Sequence, residues 1–134
     1  VSTFLLEIVT PERKVYAQNV RMIIAKGTEG ELGILPNHIP LVTPLRIAPL
    51  TIKLENGQTE VVAVNGGFME VRKDKVVILA ESAELPGDID IERARSAKER
   101  AEKRLSASGL DLDQLRAEHA LQRALSRIEV YGRK

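Results

Sequence analysis

Arginine forks match phosphate oxygens two at a time, and the C-terminal third of the chain spaces its arginines in helical steps. Arg93 and Arg100 lie two turns apart on one face, and Arg127 lies one turn beyond Arg123. Arg93 lies fifteen residues before Ser108 and Arg123 fifteen after it, so a turn centred there brings the two level in an antiparallel pair of helices. Clustered guanidiniums repel unless an anion joins them. Glu84 and Asp90, at the open end of such a hairpin, offer oxygens that could accept hydrogen bonds from a base or ribose. The adjacent helix N-terminus favours negative charge. The spacing points to a phosphate-bearing ligand. The plainer reading is a solvated basic face, with surface pairs contributing about 0–1 kcal/mol each.

No other constellation carries chemistry. Neither G-x-x-x-x-G-K-[ST] nor G-x-G-x-x-G occurs, and G-x-S-x-G is absent too. His38 and His119 are the only histidines, and neither has metal-ligand spacing to a partner. Cysteine is absent, which removes disulfides and thiolate metal sites and suits a reducing compartment. No catalytic residue and no metal ligand are expected.

The elements that would position these arginines change character at Glu84–Ala94. Before it, apolar residues alternate or run in short bursts, as in strands; after it they recur every three or four residues, as in helices. Pro86-Gly87 ends the last strand, and Asp88 and Asp90 both suit a helix start. The reading is an α+β chain: an N-terminal antiparallel β-sandwich over residues 1–85, then an antiparallel α-helical hairpin over 86–134. The strands expected are Phe4–Val9, Lys14–Tyr16 with Val20–Ala25, Leu45–Ala48, Leu50–Leu54, Thr59–Val64, Phe68–Val71 and Val76–Ala80. A bulge is expected at Gln18-Asn19, a hairpin turn at Asn56-Gly57 and a kink at Asn65-Gly66-Gly67. The prolines of Glu31–Pro44 exclude a helix or a central strand there. Its apolar residues Leu32, Ile34, Leu35, Ile39, Leu41 and Val42 must tuck over a sandwich edge or dock on a partner.

Helical periodicity runs from Ile89 to Leu105, with Ala94, Ala97, Ala101 and Leu105 as one stripe and Glu99–Lys103 as an i,i+4 pair. Gly109 suits the C′ position, and Asp111 with Gln114 suits a capping box that opens a second helix, to about Val130. Its stripe is Ala117, Leu121, Ala124 and Ile128. Stripes this rich in alanine bury little apolar area, so the hairpin must lean on something else.

Composition limits the rest. A formal net charge of +1 gives no field to recruit nucleic acid, and 3% aromatics are too few to stack on single strands. No apolar run approaches the roughly 20 residues of a membrane span, and no signal peptide is visible.

Gly30-Glu31-Leu32-Gly33-Ile34-Leu35-Pro36-Asn37-His38-Ile39-Pro40-Leu41 resembles the signature loop of the epsilon subunits of bacterial F-type ATP synthases. Gly66-Gly67-Phe68-Met69-Glu70-Val71 is similar to their second marker, and Val76–Glu81 with Asp88–Ala94 to their strand-to-hairpin junction. The resemblance spans nearly the whole chain. It implies a noncatalytic central-stalk subunit of a proton-translocating complex, peripheral to the cell membrane on its cytoplasmic side. Its partners would be the gamma subunit and the c-ring, with Glu31 and His38 as polar contacts to the c-ring. It also implies a mobile hairpin that inhibits ATP hydrolysis when extended against the alpha and beta subunits. Some members bind ATP in the folded hairpin through Ile/Leu-Asp-x-x-Arg-Ala, which Ile89-Asp90-Ile91-Glu92-Arg93-Ala94 matches. The accompanying positions are Glu84, Arg100, Arg123 and Arg127. ATP is then expected as a regulatory ligand, with or without magnesium, and no catalytic cofactor. No nucleic acid and no direct membrane insertion are implied. A free-standing ATP-sensing module is the alternative.

Overall fold

The computed structural model describes residues 2–107 and 111–133. Eight strands come first: β1 Phe4–Val9, β2 Lys14–Val20, β3 Met22–Gly27, β4 Gly30–Ile34, β5 Leu41–Lys53, β6 Thr59–Val71, β7 Lys75–Ala80 and β8 Ala83–Glu84. They join in the order β2-β1-β7-β6-β5-β3-β4, with β8 on β6. Every pairing is antiparallel except β1–β7. The two 13-residue strands, β5 and β6, run through both layers of the sandwich. One core fills it: Leu6, Ile8, Ile23, Ile52, Met69 and Ile78 are fully buried and come from five strands. Alternation places these side chains inward at every second position, as a half-buried strand requires. Tyr16 closes one end; its hydroxyl donates to Glu60 Oε1 at 2.7 Å. Burial, then the neighbouring carboxylate, push the phenol well above its ordinary pKa.

β6 changes partners midway. Ala63 and Val64 pair with β8, while Gly67 to Val71 pair with β7. The expected kink lies between, with φ of 81° at Gly66 and 129° at Gly67. A Cβ on Gly67 would sit 2.1 Å from the Leu79 carbonyl oxygen, so the corner closes only around glycine. The Asn56-Gly57 turn also forms, with Gly57 N–H donating to Leu54 O at 3.0 Å.

Several expectations are corrected. The chain does not stop at Pro49: β5 continues from Leu41 through Pro44 and Pro49 and lies centrally, between β6 and β3. Two missing N–H groups are tolerated because the β3–β5 pairing skips from Leu45 to Thr51, and Pro49 falls in that gap. Pro44 lies at the frayed end, where only its carbonyl is used, accepting from Thr28 N–H at 3.3 Å. Gln18 and Asn19 do not bulge; they pair with Leu6 and Leu5, and the register shifts opposite Val15 instead. Of the apolar residues in the proline-rich segment, Ile34 is buried and Leu32 and Leu41 pack on the core, but Leu35, Ile39 and Val42 stay exposed.

Residues Pro86–Asp88 form a single 3-10 turn, after which α1 (Ile91–Ser106) and α2 (Asp111–Gly132) pack together as the hairpin. The helix therefore begins two residues later than its periodicity suggests. Ile89 is extended, and its side chain is buried with Val61, Ala63 and Val130, so it anchors the hairpin to the outer face of β6. Glu99 and Lys103 make no ion pair; the pair on α1 is Arg95–Glu92 at 2.7 Å. The expected turn centre at Ser108 and the Gly109 stop lie outside the described residues, and so does the Asp111 side chain that was to cap α2.

Candidate functional site

Small side chains make the cleft. Ala94, Ala97 and Ala101 of α1 and Ala120 of α2 form its floor, and a helix pair floored by alanine leaves a groove that leucine would fill. Arginines wall it: Arg93, Arg100 and Arg104 from α1, Arg123 and Arg127 from α2. Glu84 of β8, Asp88 of the 3-10 turn and Asp90 close the junction end. The enclosed volume is about 530 Å³, within the range of small-molecule sites.

Each carboxylate has an occupation. Asp90 caps α1, its Oδ1 accepting from Arg93 N–H at 3.1 Å. Asp88, the other candidate cap, instead faces Arg13 of the β1–β2 turn at 3.7 Å. Glu84 accepts a hydrogen bond from Arg127 Nε, an ion pair that ties β8 to α2. Arg93, Arg100, Arg104 and Arg123 have no ion pair with any described residue. The cleft thus presents four uncompensated guanidiniums, an arrangement complementary to a polyanion.

Of the eight residues singled out in the sequence for ATP, seven line this cleft: Glu84, Asp90, Arg93, Ala94, Arg100, Arg123 and Arg127. Ile89 does not; its side chain is buried in the seam under α2. Arg104, Asp88, Ala97, Ala101 and Ala120 complete the lining. Arg104 was legible, being four residues from Arg100 and eleven from Arg93 on one helical face.

The other two candidates lie elsewhere. Glu31 is exposed on edge strand β4 and lines an open groove of about 400 Å³ with Gly27, Leu32, Leu41 and Pro44. His38 follows in the β4–β5 loop, its Nδ1 2.7 Å from the Ile39 carbonyl oxygen, and it does not line that groove. Asn37 beside it has φ of 64°, in the left-handed region. Among the described residues no cluster of three or more metal-ligating side chains exists. None of the described helices is long and apolar enough to cross a membrane.

Residues 3–86 match the family described as ATP synthase, Delta/Epsilon chain, beta-sandwich domain, and residues 88–132 match its long alpha-helix domain. The chain belongs to the epsilon chain family of ATP synthases. It is 57% identical over 133 residues to the ATP synthase epsilon chain of Halalkalibacterium halodurans, covering 98% of both chains. It is 60% identical over 113 residues to that of Brevibacillus brevis, covering 84% of this chain and 86% of that one. The fold is shared with a chain of the Euglena gracilis mitochondrial ATP synthase, OSCP/F1/c-ring, at a TM-score of 0.82 and 24% identity, over 96% of this chain and 81% of that chain. An epsilon chain is a noncatalytic subunit of the synthase.

Proposed function

We propose that this chain is the central-stalk epsilon subunit of a proton-translocating ATP synthase, and that its folded hairpin binds ATP without hydrolysing it. The observation that carries the nucleotide is the cleft, where five arginines from two helices face one groove with carboxylates at a single end. That polarity orients the ligand, with phosphates along the arginines and base or ribose towards Glu84 and Asp90. Glu84 is held by Arg127 and Asp90 by its cap, and the described residues offer no ligand set for magnesium, so any metal would arrive on the phosphates.

Regulation follows from linkage. A ligand that binds only the folded hairpin stabilises it by about 2.7 kcal/mol at a hundredfold excess over Kd. Without it, the arginines repel and the extended hairpin gains population. There it meets the alpha and beta subunits and inhibits hydrolysis. The sandwich supplies the rotor contacts. An apolar row of half-buried Val9 and exposed Leu79, Phe68 and Pro44 crosses four strands on its outer face and suits the gamma subunit. Glu31, His38 and the exposed Leu35, Ile39 and Val42 suit the c-ring. On this reading the chain is peripheral to the cell membrane, on its cytoplasmic side.

Calorimetry of the full chain with ATP tests the nucleotide reading. Arg123→Ala should weaken binding by roughly 2–5 kcal/mol, as truncating one partner of a buried charge pair does. Asp90→Ala should weaken it as well. No heat up to millimolar ATP, or equal binding by all three chains, would leave the cleft as a protein-docking face.

A further inference from the structure

The seam between α2 and the sandwich buries two polar side chains that each leave an oxygen unpaired. Asn65 is 2% exposed and Ser126 4% exposed, and they are the only polar or charged residues buried among the described ones. Asn65 shares the outer face of β6 with Val61 and Ala63, which pack on Val130 of α2. Ser126 lies one turn before Val130 on α2. Asn65 is held from behind: its N–H donates to Ser82 O and its Nδ2 to Ser82 Oγ, both at 2.9 Å. Asn65 Oδ1 and Ser126 Oγ have no hydrogen-bond partner among the described residues.

We infer that Asn65 and Ser126 are a built-in release point, two polar groups that make the α2–sandwich seam weaker than an apolar seam of the same shape. While α2 is down, each group forgoes the hydration that bulk water supplies. Any water trapped between them is bound at an entropic cost that bulk solvent does not impose. When α2 lifts, both are hydrated, so the pair favours opening. The rest of the seam, Val61, Ala63, Ile89 and Val130 with half-buried Tyr131 packed against them, is largely apolar and favours closure. A hairpin that must leave the sandwich reversibly needs that balance; this use of the seam rests on the mobile hairpin proposed above.

The test is native-state hydrogen exchange of the full chain without nucleotide. Ser126→Ala removes the buried hydroxyl and leaves Asn65 to hold Ser82. It should raise the protection of α2 amides by roughly tenfold or more, from the usual cost of an unsatisfied buried group, and leave the sandwich core unchanged. Alanine also raises helix propensity, by about twofold in the same terms, so Gln122→Ala against Gln122→Ser, at an exposed position one turn away, provides the calibration. A Ser126→Ala effect no larger than that calibration, or a loss of protection, overturns the inference. Because no nucleotide is present, absence of ATP binding would leave this result standing. Conversely, a chain that binds ATP but shows no Ser126 effect would overturn the release point alone.

Discussion

The ion pair between Glu84 and Arg127 is the one charged tie between the sandwich and α2, among the described residues, and its strength should be measurable as a coupling energy. The two side chains are 28% and 27% exposed. At that depth, unit charges near contact attract by about 4 kcal/mol in an effective dielectric of about 20, before desolvation. Desolvation removes much of this, and the net value for a hydrogen-bonded, half-buried charged pair is about 1–2 kcal/mol. Glu84→Gln and Arg127→Met keep the shapes while removing the charges. Hydrogen exchange of α2 amides then gives a double-mutant cycle. Each single substitution should increase opening of α2 by roughly five- to thirtyfold, and the double variant should open less than the product of the two. Saturating ATP should shrink the coupling, because phosphate oxygens would then share Arg127. Additivity within about 0.5 kcal/mol in the absence of ATP would refute the tie and with it the argument that Glu84 holds α2 down.

Gly67→Ala should cost more than about 3 kcal/mol or prevent folding, because its Cβ would fall 2.1 Å from the Leu79 carbonyl oxygen and 2.9 Å from Ala80 Cα. Gly66→Ala, with φ of 81° but nothing nearer than 3.7 Å, should cost only about 1–2 kcal/mol, and similar melting temperatures for the two would contradict this. Glu7 is bonded by Lys14 at 2.6 Å and Lys75 at 2.8 Å, which hold its carboxyl down from 4.5 to about 2. Its contribution is therefore complete above pH 4.5 and lost as pH falls through 2, so the melting difference between the native chain and Glu7→Gln should shrink across that window and stay flat above it. A chain ended after Leu85 should still unfold cooperatively, since the buried sandwich core lies before that residue; a gradual melt would refute sandwich autonomy.

Most strands and both helices were legible because their apolar periods are strong, but β4 and the two-residue β8 were not among the strands expected. The junction was only half legible. Two aspartates compete to cap a helix, and local sequence does not say which. Tertiary packing decides it: Ile89 is drawn into the seam with Val61, Ala63 and Val130, so the chain stays extended there and Asp90 takes the cap. The prolines of β5 misled for a related reason. Proline is excluded from a strand only where its N–H is needed, and the β3–β5 irregularity that releases Pro49 is a property of the partner strand. The arginine cleft was legible by counting from a turn, since antiparallel helices convert equal sequence distances into equal heights. Arg13 against Asp88, Asn65 against Ser82 and the burial of Ser126 were not, because each depends on contacts that no spacing rule encodes.

Alanine at the helix–helix contact sets both the capacity and the weakness of the hairpin. Ala94, Ala101, Ala117 and Ala124 are all buried, and each contributes little transfer free energy compared with a leucine. Larger residues would hold the helices together better, but they would fill the groove that Ala97 and Ala120 help to floor. The arginines add repulsion on the same side. Such a hairpin is therefore most stable when its groove holds an anion and its α2 face is on the sandwich, and less stable when either is lost. The Glu84–Arg127 tie and the Ile89 anchor hold the second condition, while Asn65 and Ser126 weaken it. On the reading proposed here, cleft occupancy adds to a docking energy small enough to be reversed, which a ligand-controlled hairpin requires.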